Sequence, residues 1–341
     1  MFLFFDIIEL IIFLVMILFT VAYLTVLERK TMGYMQRRIG PNVVGWYGLL
    51  QAFADAVKLL IKEIVIPKSA NKILFFIGPI IVLLTALLVW LSIPFGPLFT
   101  MGYSNYSILY ILSIGSVGVF GGLFAGWSSN SKYSFMSSIR STAQLISYEL
   151  VLTTVYILVI MFINSLNFFF TVDIQTNAWL TLPLLPIMLI YYISTISETG
   201  RPPFDLLEAE SELVAGHMTE YSAGPFVYFF LAEYSNLIFM SSTTILLFFG
   251  GYDYPFFFSD LIFNLLPNNL LITVSGILYT LSIMFKLCIS MFIFIWVRAS
   301  FPRFTYDNLI NLCWVIFLPI LFGYILFVPS ILYFLNSFLI I

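Results

Sequence analysis

Ionisable side chains inside apolar stretches are the first feature of this 341-residue chain that points to chemistry. Glu149 and Glu233 each stand about ten residues inside a long apolar run, and Lys286 stands inside another. An ionisable group in a bilayer costs at least a few kcal/mol, so such groups often serve an ion or proton pathway. The three side chains could converge on such a path. Buried Lys–Glu pairing that only joins helices is the alternative.

A second candidate is the segment from Glu198 to Glu220, where six acids accompany one base. These residues are Glu198, Asp205, Glu208, Glu210, Glu212 and Glu220, with Arg201 as the base. Pro202-Pro203 stops the preceding helix, and the spacing of Asp205 and Glu208 predicts a capping box at the start of a short helix. Dense carboxylates could collect protons, although a solvated surface is the alternative. His217 is interpreted as a surface or packing residue, because no second His or Cys lies near it.

The composition requires a membrane setting for these groups. Hydrophobic residues make up 61% of the chain and charged residues 9%, whereas a soluble domain carries about 25% charged residues. A net charge of −3 excludes a nucleic-acid binder, which needs a basic stripe. Two cysteines and one histidine give no support for a disulfide framework, Fe–S ligation or a zinc site, and they exclude a haem held between two histidines of this chain. The chain is therefore predicted to have no redox centre of its own.

The apolar runs predict an all-α polytopic membrane protein with about eight transmembrane helices in one membrane domain, 1–341. A bilayer core of about 30 Å needs about 20 residues per span. The predicted spans are 2–27, 73–95, 105–127, 141–163, 179–197, 222–250, 270–295 and 309–335. Thirteen of the 14 basic residues fall in the connections 28–72, 128–140, 198–221 and 296–308. The positive-inside rule places these loops in the cytoplasm or mitochondrial matrix, and both termini on the opposite side.

Two further patterns concern packing. Residues 48–64 alternate polar and apolar side chains at helical spacing, which predicts an interfacial amphipathic helix between spans one and two. Gly118, Gly122 and Gly126 are spaced four apart in the third span, which predicts a small-residue ridge where two helices pack closely. No convincing internal repeat is present, which counts against the common transporter folds.

Four sequence blocks resemble membrane subunit 1 of respiratory NADH:ubiquinone oxidoreductase (complex I). The first runs from Glu28-Arg29-Lys30 through Gln36-Arg37-Arg38-Ile39-Gly40-Pro41-Asn42 to Asp55, and the second from Gly126-Trp127 to Ser147-Tyr148-Glu149. The third runs from Glu198 through Pro203-Phe204-Asp205 to Ala232-Glu233-Tyr234, and the fourth holds Arg298, Pro302-Arg303 and Tyr306-Asp307. They follow in family order over about 280 residues. The abundance of Phe and Tyr favours the mitochondrially encoded form.

The resemblance implies a mitochondrial inner-membrane subunit at the junction with the peripheral arm, with basic loops in the matrix and termini in the intermembrane space. Its implied partners are the quinone-site subunits of the peripheral arm and the neighbouring small membrane subunits. Ubiquinone would be the substrate, and FMN and Fe–S clusters would belong to partner subunits. It further implies that a quinone channel is bordered by Arg29, Asp55, Arg201, Phe204, Arg298 and Arg303. It assigns a proton path to Glu149, Glu198, Asp205, Glu208, Glu210, Glu212 and Glu233.

Two positions depart from the family pattern, and two other classes of protein remain as alternatives. Thr305 and Val315 stand where the family usually has basic residues, which weakens any role of the last span in charge relay. A secondary ion transporter with Glu149, Glu233 and Lys286 as its midplane site is one alternative. The related membrane subunit of a hydrogenase-type complex, which uses no quinone, is the other. A passive anchor is disfavoured by the buried charges.

Overall fold

The structure is a computed structural model that describes residues 2–97, 100–102, 104–176, 178–206, 215–253 and 268–339. Within these ranges we number the α-helices in chain order. They are α1 (Phe2–Met35), α2 (Gln51–Ile61), α3 (Lys72–Leu88), α4 (Ser107–Ser128), α5 (Lys132–Ile163), α6 (Phe168–Gln175), α7 (Leu185–Glu198), α8 (Ala223–Phe248), α9 (Asn268–Ser300), α10 (Tyr306–Asn311) and α11 (Leu318–Leu339). A π-helical segment, Leu312–Phe317, joins α10 to α11.

The all-α polytopic fold predicted from the sequence is confirmed. Six of the described helical segments are long and apolar enough to cross a membrane. They are Ile7–Met35, Lys72–Ser92, Ser107–Ser128, Lys132–Ile163, Ser275–Ser300 and Tyr306–Phe334. The two other predicted spans correspond to α7 and α8. We refer to the end of the bundle that carries the basic connections as the basic end.

Helix α7 is shorter than the sequence predicts. The apolar run suggests a helix over 179–197, but turns occupy 180–184 and the helix begins at Leu185. Pro183 lies in those turns and Pro186 in the first helical turn. Proline has no backbone N–H and is best tolerated in the first turn of a helix. The 14 residues of α7 therefore extend about 21 Å, less than the thickness of a bilayer core.

The predicted interfacial helix is present as α2, although it covers Gln51–Ile61 rather than 48–64. Its start follows a turn in which Gly48 has a φ of 75°, and a Cβ there would lie 2.2 Å from the carbonyl oxygen of Pro41. Phe53 packs against Phe19 of α1, with ring centroids 6.0 Å apart. The helix is thus fixed against α1 at the basic end.

The glycines of α4 do not form the single ridge that their spacing suggests. A Cβ on Gly118 would lie 3.2 Å from Thr85 Oγ1 of α3, one on Gly126 would clash with Ser138 of α5, and one on Gly122 would meet nothing within 4 Å. Four residues rotate an α-helix by about 400°, so positions spaced four apart drift by about 40° at each step. The close approach of α3 and α4 instead involves Gly121, whose Cβ would lie 2.4 Å from Val82 Cγ2 and 3.1 Å from the oxygen of Gly78.

The replacement Gly121→Val is expected to destabilise the protein by about 1–3 kcal/mol, because the added atoms force α3 and α4 apart. Gly122→Ala, one residue away in the same helix, is the control and should leave stability unchanged, since its Cβ enters open space. Thermal unfolding of the purified assembly measures both. Equal midpoints for the two variants would contradict the packing described here.

Candidate functional site

A largely buried group of four charged side chains and one tyrosine joins four parts of the chain at the basic end. We call Glu28, Arg201, Glu233, Tyr234 and Arg298 the ion cluster. Arg201 Nη1 donates to Glu28 Oε1 at 3.0 Å, and Arg201 Nε lies 3.1 Å from Glu233 Oε1. Tyr234 Oη donates to Glu28 Oε2 at 2.7 Å, and Arg298 Nη1 donates to Glu28 Oε1.

Arg201 occupies the centre of the ion cluster. It is 6% exposed and Glu28 is 5% exposed. Its guanidinium also lies over the Tyr234 ring, 4.3 Å from the centroid, which is a favourable cation–π geometry. Burial by itself would lower the pKa of Arg201, but the neighbouring Glu233 and Glu28 carboxylates raise it above its usual value. The guanidinium therefore stays charged between the two acids.

The local chain path explains how Arg201 reaches this position. Helix α7 ends at Glu198, and Gly200 has a φ of 61°, a left-handed conformation that glycine adopts without strain. The side-chain amide of Gln144 on α5 donates to the carbonyl oxygens of Ser197 and Phe204, at 2.8 and 2.9 Å. These two bonds hold the loop 197–204 against α5, so the Arg201 side chain is directed into the bundle.

The other predicted channel residues form two smaller groups near the ion cluster. Arg303 Nη2 lies 3.3 Å from Asp205 Oδ2, and the Phe204 ring stacks on Phe304 with centroids 5.3 Å apart. Arg29 and Asp55 form a pair of 2.7 Å between α1 and α2, and Gln51 also donates to Asp55. The Arg29 and Asp55 side chains are 53% and 38% exposed, so this pair faces the surface.

A cavity of about 160 Å³ lies inside the bundle next to the ion cluster. Its wall carries three of the predicted proton-path residues, Glu149, Glu198 and Glu233, and we call it the carboxylate cavity. The wall also includes Thr85, Gly115, Gly118, Gly122, Tyr156, His217, Met218, Phe229 and Asn236. Because the share of one water molecule in liquid is about 30 Å³, the cavity has room for several. Its polar and ionisable wall is suited to hold them.

Hydroxyl groups extend from one side of the cavity wall into the core. Tyr156, on the wall, lies with its Oη 3.1 Å from that of Tyr191. Tyr191 Oη donates to Thr243 Oγ1 at 2.9 Å, and Thr243 Oγ1 donates to the carbonyl oxygen of Met240. Since Tyr191 uses its proton on Thr243, Tyr156 must be the donor to Tyr191. This leaves the Tyr156 oxygen able to accept a hydrogen bond.

Four further ionisable residues are singled out by the sequence: three acids of the proton path, and Lys286. Glu208, Glu210 and Glu212 lie outside the described residues. The expectation that Lys286 joins the two intramembrane carboxylates is wrong. Lys286 Nζ donates to the carbonyl oxygens of Phe249, Gly251 and Asp253, at 2.8, 2.9 and 2.7 Å.

The position of these carbonyls explains the outcome for Lys286. Glu233 precedes the end of α8 at Phe248 by 15 residues, or about 22 Å. Unsatisfied carbonyls at a helix C-terminus attract cations, and the Lys286 side chain reaches those that follow α8. Lys286 therefore binds at the end of α8 that is remote from the ion cluster.

Two members of the ion cluster, Glu28 and Tyr234, are not among the site residues that the sequence predicts. Glu28 ends an apolar run and Tyr234 follows Glu233, and a carboxylate beside so long an apolar run is the signal that could identify Glu28. Of the two interpretations of His217, surface or packing, the structure agrees with packing: the residue is 3% exposed, lies on the cavity wall and contacts the Phe229 ring.

The fold and the site define a polytopic helical membrane protein with buried charges at one end of the bundle. The sequence model of the family described as NADH dehydrogenase matches residues 8–329. The chain is 59% identical to NADH-ubiquinone oxidoreductase chain 1 of Yarrowia lipolytica, covering 98% of each chain. It is 52% identical to the protein of that name from Candida albicans, over 98% of this chain and 97% of that one. It is 48% identical to the protein of that name from Podospora anserina, over 96% of this chain and 95% of that one. The chain therefore belongs to the NADH dehydrogenase family.

Proposed function

We propose that this chain is the membrane subunit of a proton-translocating NADH-ubiquinone oxidoreductase in the mitochondrial inner membrane. Its ion cluster borders the ubiquinone channel, and its carboxylate cavity begins the proton path. The basic loops face the matrix, where the peripheral-arm subunits carry the FMN and Fe–S clusters and neighbouring small membrane subunits pack beside the bundle. The names of its relatives support the reaction and the substrate.

One observation supports the proposal that quinone reduction is coupled to proton transfer: Glu233 belongs to both the ion cluster and the carboxylate cavity. Its carboxylate lies 3.1 Å from Arg201 Nε in the ion cluster, and it also lies on the wall of the carboxylate cavity. A change of charge near Arg201 therefore acts directly on Glu233, since two unit charges in a poorly solvated site interact by several kcal/mol. Reduction of a quinone to a quinol takes up two electrons and two protons, and protons drawn from groups beside the cluster leave negative charge on those groups.

The residues suit a quinone in chemical terms. Arg201 and Arg298 can donate hydrogen bonds to the quinone oxygens, and the stacked rings of Phe204 and Phe304 offer an apolar wall to the isoprenoid tail. The exposed pair Arg29–Asp55 lies where α1 and α2 meet, so it is suited to an entrance rather than to the binding of the headgroup.

A photoreactive quinone tests the channel in the intact complex, isolated with lipid. Labelling of this chain within 28–60 or 198–235, displaced by excess ubiquinone and accompanied by inhibitor-sensitive NADH oxidation, is the expected result. Labelling confined to other subunits would contradict the assignment. A chain that purifies alone and moves ions across liposomes would indicate a transporter instead.

The replacement Arg298→Ala is expected to raise the KM for ubiquinone about tenfold, which corresponds to about 1.4 kcal/mol of lost binding, with a smaller change in kcat. Asp55→Ala should raise KM less, because its pair with Arg29 is exposed. Lys132→Ala, an exposed basic residue at the start of α5, is the control. The assay is NADH-to-quinone electron transfer with varied quinone, and a wild-type KM in Arg298→Ala would place Arg298 outside the channel.

A further inference from the structure

The histidine of this chain lies at the basic end of the carboxylate cavity. His217 belongs to a short 3₁₀ turn, Gly216–Met218, in the connection between α7 and α8. Gly216 has a φ of 59°, and this left-handed conformation turns the chain toward the bundle. The residue is 3% exposed. It lines the carboxylate cavity together with Thr199 and Gly200 from the same connection.

The imidazole contacts an aromatic ring and lines the same cavity as three carboxylates. Its ring stands edge-on to the Phe229 ring, with centroids 5.2 Å apart and an interplanar angle of 90°. The ionisable groups that share the cavity wall with it are Glu149 of α5, Glu198 of α7 and Glu233 of α8. Helix α4, which also packs beside the turn, carries no acidic or basic side chain.

His217 is also the single basic side chain among the described residues of the wall. Imidazole changes its charge between pH 5 and 8, and its two nitrogens allow it to accept a proton at one and release a proton from the other. The carboxylates that share the wall are groups able to accept the released proton, which would return the imidazole to its neutral form. The aliphatic, amide and glycine residues of the wall cannot exchange protons in this way.

We propose that His217 relays protons from the basic-end surface to the carboxylates of the cavity. The inference rests on the proton path proposed above and adds the residue that supplies it. His217 is thus a relay residue as well as a packing residue, and its ring contact with Phe229 holds the imidazole in place on the cavity wall.

The replacement His217→Phe separates relay from packing, because it keeps an aromatic ring against Phe229 and removes proton exchange. In the intact complex reconstituted into vesicles, we expect the rate of coupled proton translocation to fall about tenfold. The dependence of the rate on pH between 5 and 8 should flatten. His217→Gln, which is polar but cannot carry the charge, should show the same two results.

Migration on a native gel shows whether each variant is folded and assembled into the complex. If His217→Phe assembles and keeps the wild-type rate and pH profile, the relay is refuted and His217 is a packing residue. His217→Gln decides the question in the same way if the Phe variant assembles poorly. Glu149→Gln and Glu233→Gln, measured in parallel, test the proton path itself. Loss of translocation in either of them with normal translocation in His217→Phe refutes only the relay, whereas normal translocation in both refutes the path.

Discussion

Glu149→Gln is expected to reduce proton translocation at least tenfold while the complex still assembles. Glutamine has nearly the size and hydrogen-bonding capacity of glutamate, but its amide cannot release a proton at physiological pH. Glu149 lies on the wall of the carboxylate cavity, and a Cβ on Gly115 would lie 4.0 Å from its Oε1. The measurement is the number of protons moved per electron in vesicles that contain the complex.

Two further variants test whether the loss of translocation is specific to the cavity. Glu63→Gln removes an exposed carboxylate in the loop after α2 and should leave translocation unchanged. Gly122→Leu keeps every carboxylate but fills part of the cavity, since Gly122 has open space before it, and it should slow translocation. An unchanged proton-to-electron ratio in both Glu149→Gln and Glu233→Gln would exclude the cavity as the start of the path.

Arg201→Leu is expected to lower the free energy of unfolding by about 3–5 kcal/mol, because the loss of one partner leaves buried charge uncompensated. Arg201 lies between Glu28 and Glu233, and it also covers the Tyr234 ring. After the replacement, Glu233 would lose the guanidinium that lies beside it in the ion cluster. We expect little assembled complex on a native gel and a lower midpoint in thermal unfolding.

The control for Arg201→Leu is Arg29→Leu, which removes an arginine from an exposed pair. Exposed pairs contribute up to about 1 kcal/mol, so Arg29→Leu should assemble normally. Arg201→Lys keeps the charge but loses the planar guanidinium that binds two acids. The amount of assembled complex in this variant should lie between the amounts in Arg201→Leu and Arg29→Leu. Equal assembly of Arg201→Leu and Arg29→Leu would show that the ion cluster contributes little to stability.

Local sequence patterns predicted the helices well, because each span needs only its own apolar residues to be recognised. The boundaries of α7 depended on Pro183 and Pro186, which a count of apolar residues does not weigh. The glycines of α4 show the same limit. Their spacing indicated close packing, but which neighbour each one meets depends on where α3 and α5 lie around the helix.

The pairing within the site depends on contacts between residues that are far apart in the chain. Glu28 and Arg201 are separated by 173 residues, and one sequence alone does not contain that relation. Lys286 illustrates the difficulty, because its spacing allowed a partner in Glu233, whereas the carbonyls after α8 satisfy all three of its protons. The charge pattern therefore predicted which residues are unusual, but not which of them meet.

The long separations within the ion cluster also determine the order of events during synthesis. Glu28 enters with the first helix, and its partner Arg298 follows 270 residues later. At about 5–20 residues per second, a ribosome needs roughly 15–55 s to cover that distance. Arg201, the other arginine that binds Glu28, is synthesised 173 residues after it, so this pair can form before Arg298 is present. A chain that ends before Arg201 would lack both arginines, and the charge of Glu28 would remain uncompensated.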